Sequence, residues 1–166
     1  MTDSAFKAKK WLNRTIELHE RVKKLDREIK ILENRINHPV SSYGFNGTGQ
    51  TDPMTRQQQR EDALIEYSDK KEQFERVSRE LSKQELITIR VIDRMSNYIY
   101  AAILLDRYVN HNKWDEIIES NNYHYSRAQI YRYHNYALDE LGQLITSEEP
   151  QAIIEAESSI KDHQAS

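Results

Sequence analysis

Residues 126–135 read SRAQIYRYHN. Wound as a helix, this stretch turns Arg127, Ala128, Gln129, Tyr131, Arg132 and Asn135 outward from a stripe of apolar residues. Four of the six end in planar groups that make two hydrogen bonds at once. Such groups suit the edges of base pairs: arginine matches the two acceptors of guanine, and glutamine or asparagine matches the donor and acceptor of adenine. No acid lies between Arg127 and Tyr136, so nothing in the stretch repels a phosphate backbone. The first turns of a recognition helix are the part that meets base edges in the major groove.

Other side chains with chemistry point elsewhere. The chain has six histidines and no cysteine, and His111, His124 and His134 lack zinc spacing, so neither a metal nor any other cofactor is expected. The acids Asp115-Glu116, Asp139-Glu140 and Glu148-Glu149 are adjacent and diverge on a helix, whereas a catalytic pair must converge in a cleft. No glycine-rich phosphate loop or nucleophile elbow is present, so the chain is not expected to be an enzyme. Eight of the ten tyrosines fall between Tyr98 and Tyr136. Stacking on single strands would need a basic groove. Residues 101–145 carry 4 basic and 6 acidic side chains, so a tyrosine roof over a small core is the better expectation.

The elements that must position the 126–135 face are legible around it. Ser126 with Gln129 three residues on is a capping-box pattern. Ile130, Ala137, Leu138, Leu141 and Leu144 form an inward stripe, with His134 beside it as a packing residue. Trp114, Ile117 and Ile118 give a short preceding helix one buried face. Ser120 to Tyr125 reads as a polar turn in which Asn121 and Asn122 can adopt left-handed conformations. Helices are expected over roughly 96–110, 113–120 and 126–145, with helix-turn-helix logic. The pattern alone leaves a plain core helix and a DNA reader both open.

Upstream the character changes. Trp11, Thr15, Leu18, Val22, Leu25, Ile29, Leu32 and Ile36 follow the alternating three- and four-residue spacing of a coiled-coil seam, predicting a helix over 5–37. Pro39 ends it. Residues 38–54 hold two of the three prolines and three of the four glycines and read as a flexible loop. A second charged helix over 55–93 shows Leu64, Tyr67, Phe74, Val77, Leu81, Ile87 and Val91 as its apolar positions. The two helices pair as an antiparallel hairpin or between subunits, and periodicity does not choose. The expected fold is therefore all-α: a long helical hairpin or coiled coil over 1–95, a small three-helix unit over 96–145, and an acidic, disordered tail over 146–166.

The net charge of −3 conceals an uneven distribution: +3 over residues 1–100, −2 over 101–145 and −4 over 146–166. With so few cations near the outward face, weak binding by one copy is expected, strengthened by self-association through the N-terminal helices. The longest apolar run, Tyr98 to Leu105, is too short to span a bilayer. No apolar stretch follows Lys7, Lys9 and Lys10, so no secretory signal is expected, and the absence of cysteine fits a reducing cytoplasm.

The C-terminal segment resembles region four of bacterial primary sigma factors through Trp114, Asp115, Glu116 and Ile117, then Ser126, Arg127 and Ile130, then Ala137-Leu138. Over roughly residues 10–145 the chain resembles the ArpU- and RinA-like phage transcription regulators. That likeness rests on the N-terminal heptads, the Gly/Pro loop, Arg107-Tyr108, Trp114 to Ile117, Ser126 to Arg132, and His134 with Ala137-Leu138. Two departures stand out: the turn SNNYHYS lacks the usual glycine, and Ala128 replaces an acid that sigma factors use for base reading. The resemblance implies a phage or prophage transcription regulator in the host cytoplasm, an activator of late genes, with duplex DNA and host RNA polymerase as partners. Carried over by position, it implies DNA contacts at Arg127, Ala128, Tyr131 and Arg132, supported by Ser126, Gln129 and Asn135. Two other readings fit the same organisation. One is a small terminase-like packaging subunit, and the other is a coiled-coil adaptor that binds protein.

Overall fold

The computed structural model of the chain describes residues 2–38, 53–120 and 124–147, and these are mostly helical, with no strand among them. Most of the expected loop, Asn121 and Asn122 of the expected turn, and all but the first two residues of the expected tail lie outside the described residues. The helices are α1 (Asp3–Asn37), α2 (Pro53–Ile92), α3 (Tyr98–Leu104), α4 (Trp114–Glu119) and α5 (Arg127–Ser147), and a single π-helical turn, Leu105–Val109, continues α3. No described helix is long and apolar enough to cross a membrane.

The chain divides into two compact units, one of residues 20–80 and one joining 1–19 to everything from 81 onward. The first of these is a hairpin formed within one chain. Lys70 Nζ lies 2.7 Å from Glu28 Oε2, and the Tyr67 hydroxyl donates to Glu33 Oε1 at 3.1 Å, so the pairing runs antiparallel. The contact with Lys70 holds the Glu28 carboxyl below its usual range, and the same bond raises the Lys70 ammonium. Leu25, Ile29, Leu32 and Val77 are buried here, as the heptads require. On α2 the seam contains Ala63, 9% exposed, and not Leu64, which is 45% exposed. Ala63 keeps the four–three spacing with Tyr67, Lys70, Phe74 and Val77, and spacing outweighs side-chain size.

The other unit has its own core, in which Ala5, Ala8 and Leu12 of α1 cluster with Ile87, Val91 and Ile92 of α2, Met95, Leu104, Tyr108, and Ala137, Leu138 and Leu141 of α5. The expected division at residue 95 is therefore not where compactness divides the chain. Both ends of the helical pair bury apolar side chains among the C-terminal helices, at about 1.5–3 kcal/mol for each large one. On α1 the buried row is Ala5, Ala8, Leu12 and Thr15, while Trp11, the expected first seam residue, is half-buried at its edge. Thr15 is tolerated in the row because its hydroxyl donates to the Leu12 carbonyl at 2.7 Å.

α1 meets α5 where α5 has its one glycine. A Cβ built on Gly142 would lie 2.3 Å from the Ser4 carbonyl oxygen, a backbone atom with no freedom to move aside. The Thr2 hydroxyl also bonds the Asp139 carboxylate. Ser96 donates its N–H and hydroxyl to Glu140 Oε1, at 2.6 and 2.8 Å, fixing the turn between α2 and α3. Asn97 caps α3 by accepting from the N–H groups of Ile99 and Tyr100.

The expected 96–110 helix is real but not uniform. Asn110 N–H donates to the Leu105 carbonyl at 2.9 Å, five residues back, so the last turn is wider than an α-turn. In that turn Tyr108 is buried and Arg107 reaches toward α4. His111 follows with φ of 57°, a left-handed conformation that histidine adopts more readily than most non-glycine residues. It is held there by an Nε2–Glu85 Oε1 contact of 2.8 Å and by stacking on His19 at 3.8 Å.

Candidate nucleic-acid interface

α5 begins on the cap that its sequence implies. Ser126 N–H and Oγ both point to Gln129 Oε1 at 2.9 Å, and Gln129 N–H returns to Ser126 Oγ at 3.3 Å. This closes the capping box and fixes where the helix starts. The two residues are thereby committed: Ser126 Oγ has used its donor, and Gln129 keeps only its amide N–H groups for anything outside.

The inward stripe is buried, with Ile130, Ala137, Leu138 and Leu141 all at 1% exposure or less. Ser126, Arg127, Ala128, Gln129, Tyr131, Arg132 and Asn135, the seven residues singled out from the sequence, are all exposed. Among the described residues Arg132 and Asn135 have no hydrogen-bond or ion-pair partner. Arg127 has one: its Nη2 lies 2.6 Å from Asp115 Oδ1 on α4, with both side chains mostly in water. Tyr131 leans on Trp114 at 4.9 Å between centroids and remains 37% exposed.

Beneath this face lies an aromatic and polar support. Trp114 takes the Arg107 guanidinium over its ring at 5.4 Å and the edge of His134 at 4.8 Å. Arg107 Nη1 also donates to the Asn112 carbonyl at 2.9 Å. The Tyr108 hydroxyl and His134 Nε2 are 3.2 Å apart in the interior. Burial lowers His134 to about 4, helped by the positive charges of Lys9 and Arg107, and burial pushes the Tyr108 hydroxyl up to about 12. The neutral imidazole thus accepts or donates one hydrogen bond and fills space. Arg107-Tyr108, Trp114 and His134, which carried part of the resemblance, hold α5 against α4 and the π-turn and do not face outward.

Glu148-Glu149 lie outside the described residues, and each of the other adjacent acids has a partner of its own, Asp115 in Arg127. Glu116 Oε2 accepts from the Lys113 N–H at 2.5 Å and caps α4. Asp139 goes to Thr2, and Glu140 goes to Ser96. No group of three or more His, Cys, Asp or Glu side chains is placed to hold a metal ion among the described residues. Four tyrosines cluster between α3 and α5, where Tyr100 approaches Tyr133 at 5.8 Å and Tyr136 at 6.2 Å, and Tyr125 meets Tyr133 at 5.0 Å. Burial raises the Tyr100 hydroxyl above its usual range, with further contributions from Tyr133, Tyr136 and Glu140.

Sequence reasoning missed the electrostatics of this unit. Because the start of α1 joins it, Lys7, Lys9, Lys10 and Arg14 belong to the same compact unit as α5, as do Lys83 and Arg90 of α2 and Arg94 just past its end. Its described residues carry 11 Lys and Arg against 10 Asp and Glu, where the C-terminal segment taken alone looked acidic. Lys9 and Lys10 flank the exposed Phe6 and, with Asn13 and Glu17, line a shallow depression on α1.

A family model described as "Protein of unknown function (DUF1492)" matches residues 50–142, more than half of the chain, and the chain belongs to that family. No curated protein and no solved structure matches it.

Proposed function

We propose that this DUF1492 protein reads duplex DNA with the outward face of α5 and regulates transcription in a phage or prophage, as an activator of late genes. The observation that carries the reading is the partition of α5. One stripe is sealed in the core, while Arg127, Ala128, Tyr131, Arg132 and Asn135 stand in water at the capped start of the helix. That is the end of a recognition helix that enters the groove. Ser126 and Gln129 support the face by fixing the helix start. Phosphate contacts supply affinity and the planar side chains supply sequence preference. The likeness to sigma region four adds host RNA polymerase as a protein partner.

Self-association joins two half-sites. The hairpin unit exposes Ile31, Leu64 and Ile65, apolar residues suited to pairing with a second copy. A second reading, that the C-terminal helices bind protein instead of DNA, is favoured by Tyr98 and Tyr136, which are 80% and 49% exposed, because exposed tyrosines are common anchors of protein interfaces.

These readings, and that of a packaging subunit, separate in an anisotropy titration at low salt. Promoter-proximal duplex from the protein's own genomic neighbourhood is compared with a scrambled duplex, and the mass of the complex is measured in parallel. Tighter binding to the genomic duplex by a dimer supports the regulator. Ring-sized oligomers without sequence preference would indicate a packaging subunit. No DNA binding would leave the protein adaptor.

A further inference from the structure

Of the exposed acids on α4, one touches the reader face. Glu116 is spent on the α4 cap. Asp115 reaches across the turn to Arg127, Oδ1 to Nη2 at 2.6 Å, with side chains 72% and 63% exposed. Such an open ion pair contributes little to folding, because water screens it and two long side chains must be ordered to form it. A carboxylate beside the reading surface is also unfavourable for simple affinity, since it faces the phosphates of any duplex that docks there. Its direct effect is on Arg127. With one guanidinium N–H anchored, the side chain is ordered before binding, and its other N–H groups are free for a base edge.

We infer that Asp115 is a specificity-determining positioning residue that holds Arg127 for a base-pair edge and penalises duplexes offering Arg127 only phosphate. The inference rests on reading α5 as the DNA-binding helix. On a matching duplex Arg127 keeps both partners, the carboxylate and the base. On a non-matching duplex Arg127 turns to the backbone and strands Asp115 unpaired among phosphates. The carboxylate therefore weakens non-specific binding more than specific binding, which is how a repulsive element creates discrimination.

The test is a double-mutant cycle on DNA binding at fixed salt. Asp115→Asn keeps the shape and removes the charge, and it is made in the wild type and in Arg127→Ala. Affinities for a preferred and a scrambled duplex are read for all four proteins, with circular dichroism and thermal midpoints as folding controls. In the wild-type background Asp115→Asn is expected to tighten binding to the scrambled duplex about twofold to fivefold and to lower the specificity ratio by a similar factor. In the Arg127→Ala background it is expected to tighten both duplexes alike and to leave the ratio unchanged. A ratio that does not move when Arg127 is present overturns the inference while leaving α5 as the reader. So does a ratio that falls equally without Arg127, since Asp115 would then touch a base itself. If the wild type binds no duplex, the reading of α5 fails, and this inference fails with it.

Discussion

Replacing Gly142 with alanine tests the packing on which the C-terminal unit depends. Glycine in a helix interior is normally a weakness, and alanine there is worth about 1 kcal/mol in helix propensity. If α5 were packed only by its own unit of short helices, Gly142→Ala would stabilise by about that amount. The structure predicts the opposite sign. The new methyl would lie 2.3 Å from the Ser4 carbonyl oxygen and 2.4 Å from its carbon. Ordinary contact distance is more than 1 Å longer, and a backbone carbonyl in a helical first turn has no rotamer to change. Either α1 shifts away from α5 or the side chains around Ala5 and Leu141 repack, at a cost of about 1–3 kcal/mol for overpacking. Setting the propensity gain against this leaves a net destabilisation of up to about 2 kcal/mol, which lowers the thermal midpoint by up to roughly 8 °C at this chain length. Calorimetry or a circular-dichroism melt of the two proteins reads it directly. A midpoint that rises for Gly142→Ala would refute the close approach of α1 to α5 and, with it, the inclusion of α1 in this unit.

Three further outcomes follow from the same structure. His134 is held near 4 when folded against an ordinary value of 6.5, so the unfolded chain takes up the proton first. Stability is full above about pH 6.5 and falls between there and pH 4, by on the order of 3 kcal/mol in all; urea midpoints across that range should decline for the wild type and flatten for His134→Phe. Ser126→Ala breaks the capping box and should cost about 1 kcal/mol, read as a lower melting midpoint. Lys9 and Lys10 have no ion-pair partner among the described residues and lie in the same unit as α5. If they hold phosphates, Lys9→Ala/Lys10→Ala lowers the slope of log affinity against log salt by up to about 1 per lysine and leaves base preference unchanged.

What the sequence made legible was whatever neighbours decide. The Ser126–Gln129 cap spans three residues and forms as read, and the stripe from Ile130 to Leu141 is buried as its period required. The long helices begin and end within two or three residues of the expected limits, because Pro39 and the heptads act locally. Contacts set by distant segments were not legible. Gly142 gives no sign of needing Ser4, which lies at the other end of the chain. Ala5 and Ala8 continue the α1 seam with side chains too small to register as a hydrophobic signal, so the seam seemed to begin at Trp11 and the domain boundary seemed to fall at 95. The π-turn at Leu105–Val109 is one turn long and has no periodic signature. The Asp115–Arg127 pair was hidden for a related reason, since it crosses a turn whose geometry the sequence does not dictate. The candidate face was therefore readable as an exposed surface, but neither its partner acid nor the inclusion of the α1 lysines in the same unit was.

The most direct test of the central claim compares wild type with Arg127→Ala/Arg132→Ala in a low-salt titration against promoter-proximal duplex, with circular dichroism showing that both proteins are folded. Both side chains are exposed, so the double variant should keep its melting midpoint. Sequence-specific binding is expected to be lost in the variant while weak non-specific binding persists. Equal, specific binding by both proteins would contradict the central claim and would place the DNA contact on another face of the molecule.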